Sequence, residues 1–553
     1  MSESPGIRED DVAASATAIS EANLRAGNTI LPGYPNGEER RVSLFHYAPA
    51  FLLLVIVVAD RAQFTDPDLW GHIRAGQAIL EQGHIILRDT YSYSAFGQLY
   101  RNHEWLTEVL MALIYNHGGV IGLKLWKFTC AALTFGFLAT GLSATGAGAT
   151  VQLYTLMSAS VALMLEMQFR PQLFTYMQFA ALLMILARHN YRGSARIWLM
   201  IPIMALWANL HGGFVIGIAT LGIYTAVVGM QDLIAEKGLK RTLRLASITL
   251  AATLVTLATP WGISLWQEVL HPVFSPTIRT LIVDWHPLTL ALAEQWRASH
   301  FGVLFYLFVL GLMGCLAITF ALTPKGGDLP LVAIAAVMSL AAFSAARNIP
   351  LAAIALTLPV ARHVSLVVGG LRERAAAQGV RFEAEPGRSP VNQWMVGVLA
   401  IALGIAFGLF SPQLHTPDVY PTGAVAFMQR HALTGNVLND FNWGEYLIWH
   451  LTPASKVFID GRYDTVYSIT EINDYLLFYF DRPGGSRVLS AYPHDFVLIP
   501  PRSAAFRLMT NATGWTLVYK DGNSALFARA ASPAANIPGV PVTGAKPANQ
   551  YFP

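Results

Sequence analysis

Long apolar runs separated by short polar connections dominate the sequence between residues 44 and 411. A helix needs about 20 apolar residues to cross a bilayer, and about 17 can suffice. The pattern therefore predicts about eleven membrane-spanning helices. The predicted spans are 44–60, 119–141, 149–166, 171–187, 196–210, 212–233, 241–259, 301–322, 329–346, 348–368 and 393–411.

Clusters of Lys and Arg predict the orientation of these spans, because short cytoplasmic loops are enriched in both residues. The clusters lie before the first span, between the fourth and fifth, between the sixth and seventh, and before the last. They comprise Arg40, Arg41, Arg188, Arg192, Arg196, Lys237, Lys240, Arg241, Arg244, Arg372, Arg374, Arg381 and Arg388. All fall on one side if the N-terminus is cytoplasmic, which predicts an N-in, C-out topology.

Residues 104–117 form a helical apolar stretch that is short for a span. Counting them as a span would place the cluster at Arg188 outside, so we interpret them as a helix lying on the outer membrane surface. The first outer loop then runs from 61 to 118 and contains a second such helix at 68–82. That helix would present four apolar side chains on one side, Leu69, Ile73, Ile79 and Leu80.

The remaining segments are predicted to lie outside the transmembrane domain, residues 44–411. Residues 1–43 are polar and predict a disordered cytoplasmic tail, so the first apolar run is interpreted as an uncleaved span. Residues 412–530 combine short β-like runs (KVFID, DFVLIP, WTLVYKD and SALFARA) with amphipathic stretches, which predicts a periplasmic α/β domain. Residues 531–553 are rich in Pro and Gly and predict an extended tail.

Composition agrees with a polytopic α-helical membrane protein that carries a C-terminal extracytoplasmic α/β domain. Hydrophobic residues make up 54% of the chain and charged residues 13%, whereas soluble proteins carry roughly 25% charged residues. The formal net charge of +3 gives no reason to expect a nucleic-acid partner. The two cysteines lie inside apolar runs, so neither a disulfide framework nor a cysteine metal site is predicted.

Asp66 and Asp68 lie just after the first predicted span and are followed by His72. A carboxylate at the membrane surface can act as a general base toward an acceptor hydroxyl. An Asp-x-Asp pair can also hold a divalent cation through its oxygens. The alternative is structural: Asp68 caps the helix that follows and Asp66 is solvated.

Arg101, His103 and Glu104 lie at the end of the same loop, next to Trp105. Together with His72 they are candidates for substrate binding. The alternative is that Glu104 stabilises the positive end of its helix and that Trp105 anchors the interface.

Arg170, His211 and Arg347 each lie at an outer hairpin with almost no loop around it. Snorkelling of the arginines is the structural alternative. A lone outer Arg nevertheless departs from the usual charge bias, and polar groups near the bilayer are costly enough to indicate a role. Two arginines and a histidine suit a phosphate or pyrophosphate group, so we predict that these residues bind a donor phosphate.

Two further segments carry polar groups. Asp284 and Trp285 suit hydrogen bonding and stacking on a sugar, or else Trp285 belongs to an interfacial aromatic belt. In the tail, segments 439–446 and 458–464 place Asp, Glu and Arg at a predicted strand tip. The second could equally be a turn held by a structural Asp–Arg pair.

Together these features resemble the GT-C superfamily, polytopic glycosyltransferases that use polyprenyl-phosphate-linked sugars. The resemblance is one of layout and covers residues 44–530. The stretch DPDLWGHIRAGQAILEQG…RDTYSYSAFGQ…HEWLTEVL resembles a bacterial group of such membrane proteins. The stretch NWGEYLIWH…FIDGR is loosely similar to the WWDYG region of oligosaccharyltransferase catalytic subunits. It departs from that motif, so sequon recognition is not carried over.

The resemblance implies an inverting sugar transfer on the periplasmic face of a bacterial inner membrane. The donor would be a polyprenyl-phosphate-linked sugar and the acceptor a glycan, a lipid or a protein. The catalytic carboxylate of the family lies early in the first outer loop, which matches Asp66 and Asp68 here. Members with monophosphate donors need no metal, whereas the oligosaccharyltransferases do, so Mg²⁺ or Mn²⁺ held by these two residues stays an open option.

Two other functions compete with sugar transfer. A transporter or flippase of a lipid-linked saccharide would show charged residues at mid-span and repeat symmetry, and the sequence has few of the former and no clear sign of the latter. A glycan polymerase or ligase would also use outer arginines and histidines. Its chemistry would lie in a large later loop such as 260–300.

Overall fold

The computed structural model describes residues 65–163, 167–274, 283–298, 300–323, 328–380, 406, 413–537, 540–541 and 551–553. The predicted cytoplasmic tail 1–43 and the first predicted span 44–60 lie outside the described residues. So does the last predicted span, 393–411, apart from position 406.

Helices make up most of the described chain up to residue 380. In chain order they are α1 (Leu69–Gln82), α2 (Trp105–Thr145), α3 (Ala149–Leu163), α4 (Gln172–Arg192), α5 (Met200–Leu210), α6 (Phe214–Ile234), α7 (Lys240–Val255), α8 (Ile263–Phe274), α9 (Leu288–Ala298), α10 (His300–Leu322), α11 (Leu329–Ser344) and α12 (Ile349–Ala377). Each span predicted between residues 119 and 368 coincides with a helix, and a 3₁₀ turn, Arg196–Leu199, precedes α5.

Within the described residues, four helical segments are long and apolar enough to cross a membrane by length and composition. They are Trp105–Thr145, Phe214–Ile234, Val303–Leu322 and Ala346–Ala377. Three shorter apolar helices, Ala149–Leu163, Arg196–Leu210 and Leu329–Ser344, accompany them. This is the pattern of a multi-pass membrane protein, while the count of eleven spans and the N-in, C-out orientation stay predictions.

The predicted first outer loop, described from residue 65 onward, is built around the contact between α1 and α2. At Gly76 a Cβ atom would lie 2.0 Å from the Glu108 carbonyl oxygen, so only glycine allows the two helices to approach this closely. The backbone leaves helical geometry at Gly119, with φ 55° and ψ −148°, which separates the first turns of α2 from its apolar continuation. On α1, Leu69, Ile73 and Ile79 are buried as predicted. The prediction for Leu80 is wrong, because this side chain is 40% exposed.

A buried set of charged side chains joins three helices near the first residue of α11. The Asp328 carboxylate lies 2.8 Å from His363 Nε2 and 3.2 Å from Arg362 Nε. Arg362 also donates to the Thr145 carbonyl oxygen at 2.8 Å. Because a charge buried without a partner is costly, this set connects α2, α11 and α12 at one end of the helical domain.

The predicted C-terminal α/β domain is confirmed. Its six-stranded sheet has the order β2-β1-β3-β5-β4-β6. The strands are β1 (Gly435–Asn439), β2 (Ser455–Val457), β3 (Phe496–Ile499), β4 (Trp515–Lys520), β5 (Ala525–Arg529) and β6 (Val540–Pro541). Strand β1 is parallel to β2 and β3, β5 is antiparallel to β3 and β4, and β6 is parallel to β4. The β-like runs coincide with β2 to β5, whereas β1 was missed because its sequence, GNVLN, has only two apolar residues.

Five helices complete this domain. They are α13 (Thr422–Arg430), α14 (Gly444–Leu451), α15 (Ile469–Tyr479), α16 (Val488–Ala491) and α17 (Ala504–Thr510). In the tail predicted to be extended, β6 joins the sheet and Phe552 is buried with its ring 5.5 Å from that of Trp70 on α1. Phe552 therefore packs against α1, in the predicted first outer loop.

Hydrogen bonds and ion pairs join the predicted first outer loop to the C-terminal domain. Tyr93 N–H donates to the Val457 carbonyl oxygen and Val457 N–H to that of Tyr91, each at 3.1 Å, so the loop runs beside β2. Arg462 donates to Asp89 and to Asp460 at 2.6 Å. Asp460 and Arg462 thus form an ion pair within segment 458–464, as the alternative of a structural Asp–Arg pair expects. Arg462 also joins the domain to the loop through Asp89.

His494 makes this contact sensitive to acid. Its Nε2 donates to the Val488 carbonyl oxygen at 2.7 Å, which leaves Nδ1 to accept from the Tyr93 hydroxyl. Burial lowers the pKa of His494 to about 4. As pH falls from 6.5 toward 4, the unfolded chain binds a proton that the folded domain excludes, so this residue costs up to about 1.4 kcal/mol of stability per pH unit.

We expect the thermal midpoint of the C-terminal domain, followed by tryptophan fluorescence, to fall over this pH range in the wild-type protein. His494→Gln removes the titrating group, so the thermal midpoint of this variant should fall less steeply with decreasing pH. Equal slopes for the two proteins would contradict the assignment of a neutral His494.

Candidate functional site

Arg170 lies at the centre of a set of three carboxylates that come from two separate parts of the chain. Its Nε lies 2.8 Å from both oxygens of Asp66. Its Nη2 lies 3.1 Å from Asp68, and its Nη1 lies 3.6 Å from Asp284. The sequence placed these residues in separate loops, and the fold brings them together around one guanidinium group.

The two aspartates differ in accessibility. Asp66 accepts the backbone N–H of Asp68 at 3.0 Å and its side chain is 4% exposed. Asp68 precedes α1, but its carboxylate makes no capping hydrogen bond and is 31% exposed. The alternative of a helix-capping Asp68 and a solvated Asp66 is therefore wrong on both points.

The guanidinium group of Arg170 also decides how well this pair suits a metal ion. Burial disfavours its charge, but Asp66 and Asp68 raise the pKa of Arg170 well above its ordinary value, so the group stays cationic. It lies between the two carboxylates and offsets their charge where a shared divalent ion would have to bind. The option of Mg²⁺ or Mn²⁺ held by Asp66 and Asp68, which the sequence left open, therefore does not fit the residues present.

Glu104 and Glu108 form a second acidic set with histidines around it. His72 Nδ1 lies 3.3 Å from Glu108 Oε1 and 3.8 Å from Glu104 Oε2. The other oxygen of Glu104 lies 3.4 Å from His211 Nε2 and 3.8 Å from His103 Nε2. One carboxylate is thus shared by three imidazole rings.

The start of α2 explains this arrangement. Glu104 and Glu108 are four residues apart, so both carboxylates face the same side of the helix. Asn102 accepts the Glu104 backbone N–H at 3.0 Å and donates its own side-chain N–H to Glu108. Sequence reasoning missed Glu108, although this spacing was a signal that could have found it.

The histidines carry different charges. For His72, burial opposes the charged form, but the hydrogen bond to Glu108 and the charge of Glu104 raise its pKa to about 10. For His211, burial lowers the pKa to about 3. His211 Nδ1 accepts the Gly213 N–H at 2.9 Å, so the single ring proton of His211 is on Nε2 and faces Glu104.

Arg347 approaches the same carboxylate without forming an ion pair. Its guanidinium group stacks on the Trp285 ring, 4.5 Å from the ring centroid. Within the described ranges no carboxylate lies within 4.0 Å of it. Burial opposes the charge of Glu104, but the neighbouring histidines and Arg347 lower its pKa. Arg101, by contrast, is paired with Glu268 at 3.3 Å.

The C-terminal domain contributes one further carboxylate, Glu445 at the start of α14. A Cβ atom at Gly71 would lie 1.7 Å from Glu445 Oε2, and one at Gly461 would lie 3.3 Å from Oε1 and 2.9 Å from Asp68 Oδ1. Glu445 therefore faces Asp68 across Gly461. Burial raises the pKa of Glu445 well above its ordinary value, and the charge of Asp460 adds to this effect.

Comparison with solved structures identifies the fold. The oligosaccharyltransferase of Archaeoglobus fulgidus in its apo form matches with a TM-score of 0.50 and 12% identity, over 82% of this chain and 69% of that chain. This chain has the GT-C fold. The same archaeal protein tethered to an acceptor peptide containing the NVT sequon matches with a TM-score of 0.50 and 11% identity, over the same shares of the two chains.

The remaining comparisons give a weaker similarity or none. ArnT from Cupriavidus metallidurans bound to undecaprenyl phosphate matches over 88% of this chain and 98% of that chain, at 12% identity, but its TM-score is only 0.36. Neither the protein-family models nor the curated proteins give a match.

Within this GT-C fold one group of side chains gathers most of the predicted site. We call it the polar cluster, and its members are Asp66, Asp68, His72, His103, Glu104, Glu108, Arg170, His211, Asp284, Arg347 and Glu445. Trp285 borders it under Arg347, and Arg101 is paired with Glu268, which is not a member. Three members of the cluster were not among the predicted site residues: Glu108, Asp284 and Glu445.

Proposed function

We propose that this protein transfers a sugar from a polyprenyl-phosphate-linked donor to an acceptor on the periplasmic face of a bacterial inner membrane. The GT-C fold and the candidate membrane helices support a membrane glycosyltransferase. One observation carries the proposal: a partly exposed carboxylate, Asp68, and the guanidinium group of Arg347 belong to one chain of contacts. Arg170 contacts both Asp68 and Asp284, and Arg347 stacks on the next residue, Trp285, without a carboxylate partner within the described ranges. A base and a phosphate ligand in one site are the groups that this reaction needs.

Asp68 is the general base in this proposal. It is reachable, whereas Asp66 is enclosed by Arg170 and by the Asp68 N–H. The acceptor hydroxyl gives its proton to Asp68 as its oxygen forms a bond to the anomeric carbon. The bond from that carbon to the phosphate oxygen breaks on the opposite face, its electron pair leaves with the lipid phosphate, and the anomeric configuration inverts.

Arg347 binds the leaving phosphate, because it has no carboxylate partner within the described ranges. His211 was predicted to share this role, but its one ring N–H, on Nε2, faces Glu104, so we assign it to holding that carboxylate. Arg170 was predicted to share this role, but three carboxylates already surround it. We assign Arg170 to holding Asp66 and Asp68 in place. His72, Arg101, His103, Glu104 and Trp285 stay candidates for contacts to the sugar or the acceptor.

Radiolabelled polyprenyl-phosphate sugars presented to the purified protein in nanodiscs test the proposal. We expect label to move to an acceptor hydroxyl in a reaction that requires the protein. In proteoliposomes, movement of labelled lipid across the bilayer without release of the lipid phosphate would instead indicate a flippase. Loss of activity in Asp284→Asn but not in Asp68→Asn would favour a polymerase or ligase centred on residues 260–300.

Arg347→Gln should raise the KM for the lipid-linked donor about ten-fold or more, because a hydrogen bond to a charged group is worth roughly 1.5–3 kcal/mol. Steady-state kinetics with varied donor would measure this change. Arg502→Gln, an exposed position in the C-terminal domain, is the matched control and should leave KM unchanged. An unchanged KM in Arg347→Gln would remove Arg347 from the phosphate site.

A further inference from the structure

We infer that His72, Glu104 and Glu108 bind a divalent metal ion of the Mn²⁺ or Zn²⁺ class. The binding site follows from the positions of these three side chains. Its use, to hold the donor phosphate, rests on the proposed function.

The separations of the three donor atoms suit a shared ion. One atom from each side chain lies within 4.8 Å of the other two, and His72 Nδ1 is 3.3 Å and 3.8 Å from the nearest glutamate oxygens. Ligands bound at about 2.0–2.1 Å in a tetrahedral site lie about 3.4 Å from one another. The ion would take the place of the proton on His72, with little movement of the side chains.

The ligand types narrow the choice of ion. One imidazole and two carboxylates suit Mn²⁺ or Zn²⁺ better than Mg²⁺, which prefers oxygen alone. Three protein ligands also leave at least one coordination position open, as in catalytic metal sites. An oxygen of the donor phosphate would fill it.

A second layer of contacts already orients the carboxylates. Asn102 donates to the oxygen of Glu108 that does not face His72. His211 presents Nε2–H to the oxygen of Glu104 that does not face His72. Metal-binding carboxylates are usually held by partners of this kind. His211 cannot be a ligand while its Nδ1 accepts the Gly213 N–H, so we place it in this supporting layer.

A buried carboxyl group without a hydrogen-bond partner in the described chain lies next to the residue that precedes the first ligand. Glu445 is 7% exposed and lies against Gly71, the residue before His72. It has no hydrogen-bond partner among the described residues. Even without Glu445, the carboxylates of the polar cluster outnumber its two guanidinium groups and the protonated His72, and Asp66 and Asp68 already pair with Arg170. A lipid phosphate would add further negative charge, which a divalent ion would offset.

The site differs from a metal bound by Asp66 and Asp68, because Arg170 serves that pair. The carboxylates that bind the metal ion are therefore different from the carboxylate that acts as the base. Asp68 stays free to accept a proton while Glu104 and Glu108 hold the ion.

Binding of Mn²⁺ alone tests the site without any donor. The full-length protein, freed of metal with EDTA and placed in nanodiscs, would be titrated with Mn²⁺ while electron paramagnetic resonance follows the free ion. We expect one tight site per chain and competition by Zn²⁺. Glu108→Gln and His72→Ala should each weaken binding by ten-fold or more. Two substitutions on different helices guard against the loss of fold in one of them.

Glu294→Gln is the matched control. Glu294 also faces an imidazole, that of His286 at 3.1 Å, but belongs to no group of three donor atoms in the described chain. The Glu294→Gln variant should bind Mn²⁺ with the same affinity as the wild-type protein. Binding that is absent from the wild type, or unchanged in both ligand variants, would overturn the site. Intact binding in a protein without transferase activity would overturn the proposed function instead.

Discussion

Asp68→Asn should lower the rate of sugar transfer by about 10²–10⁴-fold, the usual contribution of a general base. Asparagine keeps the size of the side chain but cannot accept the proton of the acceptor hydroxyl. Asp68 is partly exposed and makes no capping hydrogen bond, so its loss should not unfold the outer loop. Transfer from a radiolabelled lipid-linked sugar, measured at saturating donor, reports this change directly.

The control is Asp418→Asn, an exposed position near the start of the C-terminal domain, which should transfer at the wild-type rate. Asp66→Asn separates the two aspartates. If Asp66→Asn loses activity and Asp68→Asn keeps it at unchanged stability, Asp66 is the base. If both keep full activity, the base does not lie in the first outer loop.

Arg170→Gln should lower the free energy of unfolding by about 3 kcal/mol, because it leaves the buried Asp66 without a positive partner. Activity should be lost as well, since Asp68 and Asp284 also lose their common contact. Unfolding by SDS in mixed micelles, followed by tryptophan fluorescence, measures the first effect. The transfer assay measures the second.

A double variant distinguishes a structural role from a positioning role. Asp66→Asn combined with Arg170→Gln leaves no buried charge at this pair, so most of the lost stability should return. Activity should not return, because Asp68 is no longer held. Recovery of both properties would show that Arg170 matters for stability alone. A single Arg170→Gln variant as stable as the wild type would contradict the buried ion pair.

Local pattern was enough to predict most elements of the fold. The apolar runs between residues 119 and 368 coincide with helices, and the β-like runs of the tail coincide with β2 to β5. Both signals are local, because the length of an apolar run and the alternation of a strand are properties of neighbouring residues. The two errors also have local causes. Strand β1 was not predicted because it has too few apolar residues, and Leu80, predicted to lie on the apolar side of α1, is at the edge of that side and is exposed.

The sequence predicted which residues belong to the candidate site, but not which of their side chains contact each other. Sequence alone singled out Asp66, Asp68, Arg170, His211 and Arg347, since isolated polar groups at the ends of apolar runs are conspicuous. It did not show that Arg170 is engaged by carboxylates, which changed its proposed role from phosphate ligand to support. It also did not show that burial and the Gly213 N–H keep His211 neutral.

The sequence by itself determined the class of protein, the positions of most helices and strands, and the segments that carry the chemistry. Only the tertiary structure decided which charges meet. Asp66 and Arg170 are 104 positions apart, and Glu445 reaches Gly71 from the far end of the chain. Charge pairing, burial and proton location depend on contacts between distant segments. Those contacts arise from the packing of whole helices and domains, which no local pattern encodes.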